Sequence, residues 1–430
     1  MKSKTQRVLN LLHDYESPNV TFIDPEGGWP IVWERARGMF VWDIEAHRYL
    51  DLTAAFGVAA AGHANAKVIA AGQKQMAKLL HAMGDVHPHA LKAQLAQELS
   101  RITFERWNAG SAKTIFTNSG FEAVEAALKT AMLATGKPGI IAFESAYHGL
   151  GYGALSATHR SHFRSPFENQ LGRFGRFAAF PKSKEELRAV EKQVTTLLRQ
   201  NKIGAVLVEP IQVRGGINIP QAGFLKLLQR LCNKHNALLI FDEIYTGFGR
   251  TGKWFACEHE GVVPDVVCLG KALTGGFPLS ACVGGADVMD AAWPTSTGEA
   301  IHTSTFLGHP VGCAMALAQI QEIGKRKLVA ASAHLGDVAL KLLATHVRSK
   351  TLKAEIRGRG LLIGIELNRA DGVPASNESL LIIKRMLARG FVLLPEGENA
   401  NVISLTPPLI INQAQLRATA QALGEEMEDF

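Results

Sequence analysis

The segment FDEIYTGFGRTGKWFACEHEGVVPDVVCLGKALTGG, residues 241–276, constrains the fold of this chain more tightly than any other. Two apolar runs, 237–241 and 262–269, overlap its two halves. Neither alternates and each is bounded by charge or glycine, which predicts short strands buried on both faces of a parallel sheet. Each run ends in groups that a buried strand does not usually carry: Asp242 and Glu243 after the first, Gly270 and Lys271 after the second. Ligands of open α/β sheets bind just beyond the carboxyl ends of strands, so this acid and this lysine could face one ligand.

The pairing suits pyridoxal phosphate chemistry. A lysine amine can hold an aldehyde cofactor as a Schiff base, and a carboxylate against a pyridine nitrogen keeps that nitrogen protonated, which makes the ring an electron sink. Taken as an isolated pair, Asp242 and Lys271 are more often a loop acid and a surface lysine, so spacing alone does not decide.

A chain of 430 residues, 47% hydrophobic and 20% charged, can bury a large domain and a smaller one and is not of disordered composition. Its formal net charge of +7 favours anionic ligands, but no Lys/Arg block or aromatic stripe points to nucleic acid. The five cysteines, Cys232, Cys257, Cys268, Cys282 and Cys313, form no C-x-x-C pair, so neither a disulfide framework nor a metal site is expected. The basic N-terminus lacks an apolar signal core, and no unbroken run of about 18 apolar residues occurs. A cytoplasmic location without membrane attachment is the expectation.

Residues 112–136 supply a further motif. A strand at 113–116, a Thr-Asn-Ser-Gly turn and a helix opening at Phe121 together predict free backbone N–H groups at the positive end of a helix, a ready anion site. Further strands are predicted at 139–143, 204–208, 279–284, 361–367 and 391–394. Residues 247–253 satisfy G-x4-G-K, but Trp254 stands where a nucleotide-binding loop needs Ser or Thr, and the flanking order is wrong.

The runs DEIYTGFGRTG and PDVVCLGKALTGGFPLSACVGG resemble the core of the class III aminotransferases, the ornithine, 4-aminobutyrate and ω-amino acid aminotransferase group of fold type I. The resemblance extends from about Gly38 to Pro408. It implies an α/β fold, with a mostly parallel central sheet, helices on both faces and a smaller α+β domain built from the two chain ends. The implied division is 1–60 as an arm and part of the small domain, 61–321 as the cofactor domain and 322–430 as the rest of the small domain.

The resemblance also implies roles. Lys271 would hold pyridoxal 5'-phosphate and move protons, Asp242 would hold the ring nitrogen, and Tyr147 would stack on the ring with Ile244 on the other face. Ser119, Gly120 and Phe121 would bind the phosphate, helped by Thr305 from the second subunit of a homodimer or dimer of dimers. His148 and Glu209 would stand close behind. Phe56, less securely Met83, would line the substrate entrance. The implied reaction carries an amino group from a primary amine or ω-amino acid to a keto acid or aldehyde by a ping-pong route. An aminomutase, a decarboxylase or an epimerase of the same fold, or an idle binder of the cofactor, stays open.

Two departures bear on the substrate. The family pattern E-P-V-Q-G-E-G-G reads EPIQVRGG here, which puts Arg214 in place of an acid. The family pattern N-V-I-R-L-x-P-P-L reads NVISLTPPL, which puts Ser404 in place of the arginine that grips carboxylates. In relatives that accept both charged and uncharged substrates, that arginine alternates between the substrate and the acid. Neither half is expected in this chain. Either the substrates lack a carboxylate, or Arg214 has taken over its recognition.

Overall fold

The computed structural model describes residues 3–25 and 27–430. The apolar runs form a seven-stranded sheet, comprising β1 Ala112–Thr117, β2 Gly139–Phe143, β3 Gly175–Ala178, β4 Ile203–Val208, β5 Leu238–Asp242, β6 Val266–Leu269 and β7 Ser280–Gly285. Spatial order is β1-β7-β6-β5-β4-β2-β3. Only β7 runs antiparallel to its neighbours, so the carboxyl ends of the other six share one edge. β2, β4 and β6 are buried at every position, which is why their sequences do not alternate.

β6 starts at Val266, later than its apolar run suggests. Pro264 has no N–H for the ladder, and the Asp265 carboxylate accepts the Leu239 N–H at 2.7 Å, which ties the strand start to β5. Helix Gly120–Thr135 packs across the sheet through Ala123, Val124, Ala126, Ala127 and Ala131, small residues that let it lie close. It ends at Gly136, whose φ of 67° closes the last turn.

The chain ends build two further sheets. Strands Trp33–Arg37, Phe40–Asp43 and Arg48–Asp51 form a meander joined by Phe391–Val392, and Leu352–Arg359, Leu362–Arg369, Val402–Leu405 and Leu394–Glu396 form a second sheet. The single strand predicted at 391–394 is therefore two strands that switch sheets at Leu393. The switch carries the chain on to Glu396. Among the described residues, helix Leu328–His346 is long and apolar enough to cross a membrane, but it contains Asp337 and Lys341 and packs on Gln413–Met427.

The 247–253 turn ties these parts together. The Arg250 side chain is buried, and its Nη1 donates to the Leu361 carbonyl at 3.0 Å and the Pro407 carbonyl at 2.5 Å. Burial pulls its guanidinium down to about 10. The backbone of this turn bonds to Leu361 and Ser332, so the glycines serve close packing and no phosphate cradle forms.

Candidate active site

Four strand ends meet at one cavity of about 450 Å³. Tyr147 and His148 reach it from the loop after β2, Glu209 and Arg214 from beyond β4, Asp242 from the end of β5, and Lys271 from beyond β6. Gly120 and Phe121, at the start of the helix after β1, complete the wall with Gly149, Leu150, Ile244, Tyr245 and Thr246.

The acids are held rigidly. Asp242 Oδ2 accepts from His148 Nδ1 at 2.8 Å and its Oδ1 accepts from the Ile244 N–H at 3.1 Å. Glu209 Oε1 accepts the Tyr147 N–H at 3.0 Å and Oε2 the Val213 N–H at 3.2 Å. Burial pushes the Glu209 carboxyl up to about 7; the neighbouring His148 pulls it down and the neighbouring Asp242 adds to the rise. Adjacent Glu243 faces away, bonded to the Ala256 and Cys257 N–H groups, and burial pushes it up to about 7 as well.

Lys271 follows Gly270 with φ at 44°, a left-handed conformation that costs a non-glycine residue energy and is found at functional sites. Its Nζ lies 4.6 Å from the centre of the Tyr245 ring. Burial lowers its basicity, against the pull of Asp242 and Glu209, so the uncharged amine persists to lower pH than in a free lysine.

This constellation of lysine, acid and helix start can be compared with known proteins. The sequence profile of the family described as Aminotransferase class-III matches residues 23–426. This chain is a class III aminotransferase. It is 36% identical over 399 residues to the acetylornithine aminotransferase of Methanosarcina acetivorans, covering 93% of this chain and 92% of that protein. It is 34% identical to the 5-aminovalerate aminotransferase of Pseudomonas aeruginosa, covering 93% and 94%. Among solved structures, the ornithine aminotransferase of Toxoplasma gondii matches with a TM-score of 0.85 and 28% identity, over 99% of this chain and 95% of that one.

The class III aminotransferases depend on pyridoxal phosphate, and the cavity of this aminotransferase fits that group. Gly120 and Phe121, which open a 16-residue helix and carry its first backbone N–H groups, line the cavity, and the Ser119 hydroxyl beside them is buried with no hydrogen-bond partner among the described residues. A side chain at Gly120 would meet Ile244 at 3.0 Å, so glycine keeps the approach open. Phe121 packs on the loop after β2; a Cβ at Gly149 would lie 2.3 Å from the Phe121 Cβ, and one at Gly151 would lie 2.5 Å from its ring.

Of the residues singled out from sequence, Gly120, Phe121, Tyr147, His148, Glu209, Arg214, Asp242, Ile244 and Lys271 line this one cavity. Phe56 lines a neighbouring apolar cavity of about 260 Å³, with its ring 6.0 Å from the Arg214 guanidinium carbon. Its turn is left-handed from Ala54 to Gly57, held by Asp51, which accepts from the Thr53 N–H, the Thr53 hydroxyl and the Ala55 N–H. Met83 and Thr305 are exposed and outside the cavity within one chain. Ser404 is buried, its hydroxyl donates to the Leu394 carbonyl at 3.1 Å, and it is not among the residues that line the cavity.

Arg214 does have an acid partner: its Nη1 lies 3.0 Å from both carboxylate oxygens of Glu396, which is buried. Sequence reading missed Glu396 because its strand was ended at Leu394, and the reversal of charge at Arg214 was the available signal. Tyr245 was also missed. Its hydroxyl is 3.2 Å from the Thr406 hydroxyl, which holds the ring beneath Lys271.

Proposed function

We propose that this aminotransferase draws its amino group from an ω-amino acid or a related primary amine and delivers it to a keto acid or aldehyde, with Arg214 as the group that recognises a substrate carboxylate. The observation that carries this reading is the convergence of Lys271, Asp242 and Arg214 on one cavity, while Ser404 turns its hydroxyl to backbone. The relatives named for acetylornithine and 5-aminovalerate support it, because both compounds carry an amine and a carboxylate at a distance. Arg214 is 27% exposed at its side chain, lies over the Tyr147 ring at 5.7 Å and has no hydrogen bond from Nη2 among the described residues.

When bound, pyridoxal phosphate supplies an aldehyde carbon that bonds an amine and a ring that takes up electrons. Gly120 and Phe121 N–H groups, with the Ser119 hydroxyl, would hold its phosphate. The Asp242 carboxylate would hold the ring nitrogen in its protonated form. Tyr147 and Ile244, which line the cavity, would exclude water from the ring faces. Lys271 Nζ, made less basic by burial, would take the proton from the substrate carbon and pass it to the carbon of the cofactor's aldehyde. Keto-acid binding in the second half reaction uses the same groups in reverse.

Arg214→Ala is expected to lower kcat/KM for carboxylate-bearing donors about a hundredfold, or roughly 2–3 kcal/mol, and by much less for uncharged amines. The check is the visible spectrum of the loaded enzyme mixed with single donors and no acceptor, which reads the first half reaction alone. Equal losses for both donor classes would sink the assignment of Arg214.

The active enzyme is a cytoplasmic homodimer in this reading, with Thr305 completing the phosphate site of the other copy. Leu79, Leu80, Met83, Val86, Ile301 and Phe306 are exposed, and the Thr303 hydroxyl bonds Asp85 at 2.8 Å, so the two segments form one apolar patch beside Thr305. Sedimentation equilibrium is expected to give twice the chain mass; an active species at the single-chain mass would overturn it.

A further inference from the structure

Glu396 is set where a carboxylate needs a reason to be. It ends the strand Leu394–Glu396, 2% exposed, and the cation it touches is Arg214. Both of its oxygens sit 3.0 Å from the same Arg214 nitrogen, but only Oε1 is aligned for a hydrogen bond, and Oε2 accepts none among the described residues. A guanidinium and a carboxylate that meet squarely form two parallel bonds, so this pair is a weak version of what it could be. Arg214, in contrast, reaches into the cavity.

Breaking such a pair leaves the buried partner in the worse position. An uncompensated buried carboxylate is costly as an anion and is readily neutralised by a proton. The charged and titratable groups around Glu396 are Arg214 and Arg160 from the loops after β4 and β2, Lys271 from beyond β6, and Tyr147 and Tyr245. Arg160 and Lys271 make no ion pair with Glu396 and do not replace Arg214 as a contact.

We propose that Glu396 is a specificity-determining residue: it holds Arg214 until a substrate carboxylate displaces it, and the vacated Glu396 then takes a proton from solvent onto Oε2. This inference rests on the reading of Arg214 given above. Its consequence is a difference between substrates. A carboxylate-bearing substrate binds with net proton uptake, and an uncharged one leaves the pair closed and binds without it. Burial already raises the Glu396 carboxyl above its ordinary range while Arg214 opposes the rise, so removing Arg214 raises it further. Carboxylate affinity therefore falls as pH rises from the value of the paired acid to that of the vacated acid, by at most about tenfold per pH unit, and levels off above it.

The test is calorimetric titration of the cofactor-loaded enzyme, at several pH values between about 5 and 8, with glutarate, which carries neither amine nor keto group, and with valeramide as an uncharged probe. Repeating each titration in two buffers of different protonation enthalpy gives the number of protons taken up. Wild type is expected to take up protons with glutarate, rising to at most about one at the pH of greatest uptake, and about none with valeramide at any pH. Glu396→Gln is expected to bind glutarate about tenfold more tightly, because a neutral amide releases Arg214, and to take up no proton. If Arg214→Ala loses glutarate binding while wild type binds it without proton uptake, the role of Glu396 is overturned and that of Arg214 stands. If Arg214→Ala binds glutarate as wild type does, the reading of Arg214 falls and this inference with it.

Discussion

Lys271→Ala is expected to abolish transamination, with kcat at least about 10⁴-fold below wild type. No other amine can take its place: among the residues that line the cavity, Lys271 is the single lysine. Its position is also built for the task. The left-handed backbone at Lys271 follows Gly270, and β6 aims it at the cavity between Asp242 and Tyr245. Burial lowers its basicity, with Asp242 and Glu209 limiting the fall. A proton carrier works best when its affinity for the proton is near the working pH, and a fully basic lysine would hold its proton too tightly. The acid limb of the wild-type pH profile should therefore lie below 10.5, the ordinary lysine value. The measurement is single-turnover conversion of loaded enzyme by an amine donor, repeated with ethylamine added at high concentration. Partial rescue by the added amine separates a missing proton carrier from a misfolded variant. Turnover within tenfold of wild type without rescue would remove Lys271 from the mechanism.

How much of this site is legible before folding depends on where each residue sits. Asp242, Glu209 and Lys271 follow apolar runs that can only be buried strands, so both their strand and their end of it are readable. Gly120 follows a turn and begins a strong helix, which is readable for the same reason. β3 escaped, because four edge residues with alternating burial leave no continuous apolar run. Glu396 escaped for a different reason. The chain changes sheets at Leu393, and a strand of three residues containing Pro395 carries no periodicity to extend. The ion pair joins residues 182 positions apart, and only the fold brings them together. Ser404 was readable as an absence but not as a contact: its hydroxyl bonds a backbone carbonyl across its own sheet.

Asp242→Asn is the second large effect, an expected loss of about 10³-fold in kcat with cofactor binding retained. The amide keeps the shape of the carboxylate and removes its charge. Asp242 is 5% exposed, and both its oxygens are already fixed, one by His148 and one by the Ile244 N–H. A fixed buried anion is what keeps a ring nitrogen protonated; a neutral amide holds that nitrogen by a weaker bond and lets it lose the proton. Electron withdrawal by the ring then weakens at the step where charge develops on the substrate carbon, while ground-state binding changes little. The variant should show this as a fall in kcat with KM close to wild type. His148 gives an internal control. Its Nε2 is buried without a partner among the described residues, and its Nδ1 bonds Asp242, so His148→Gln should perturb the same step more weakly, through the position of Asp242 and not its charge. A variant with Asn at 242 that keeps kcat within tenfold would show that the ring nitrogen is held by something else.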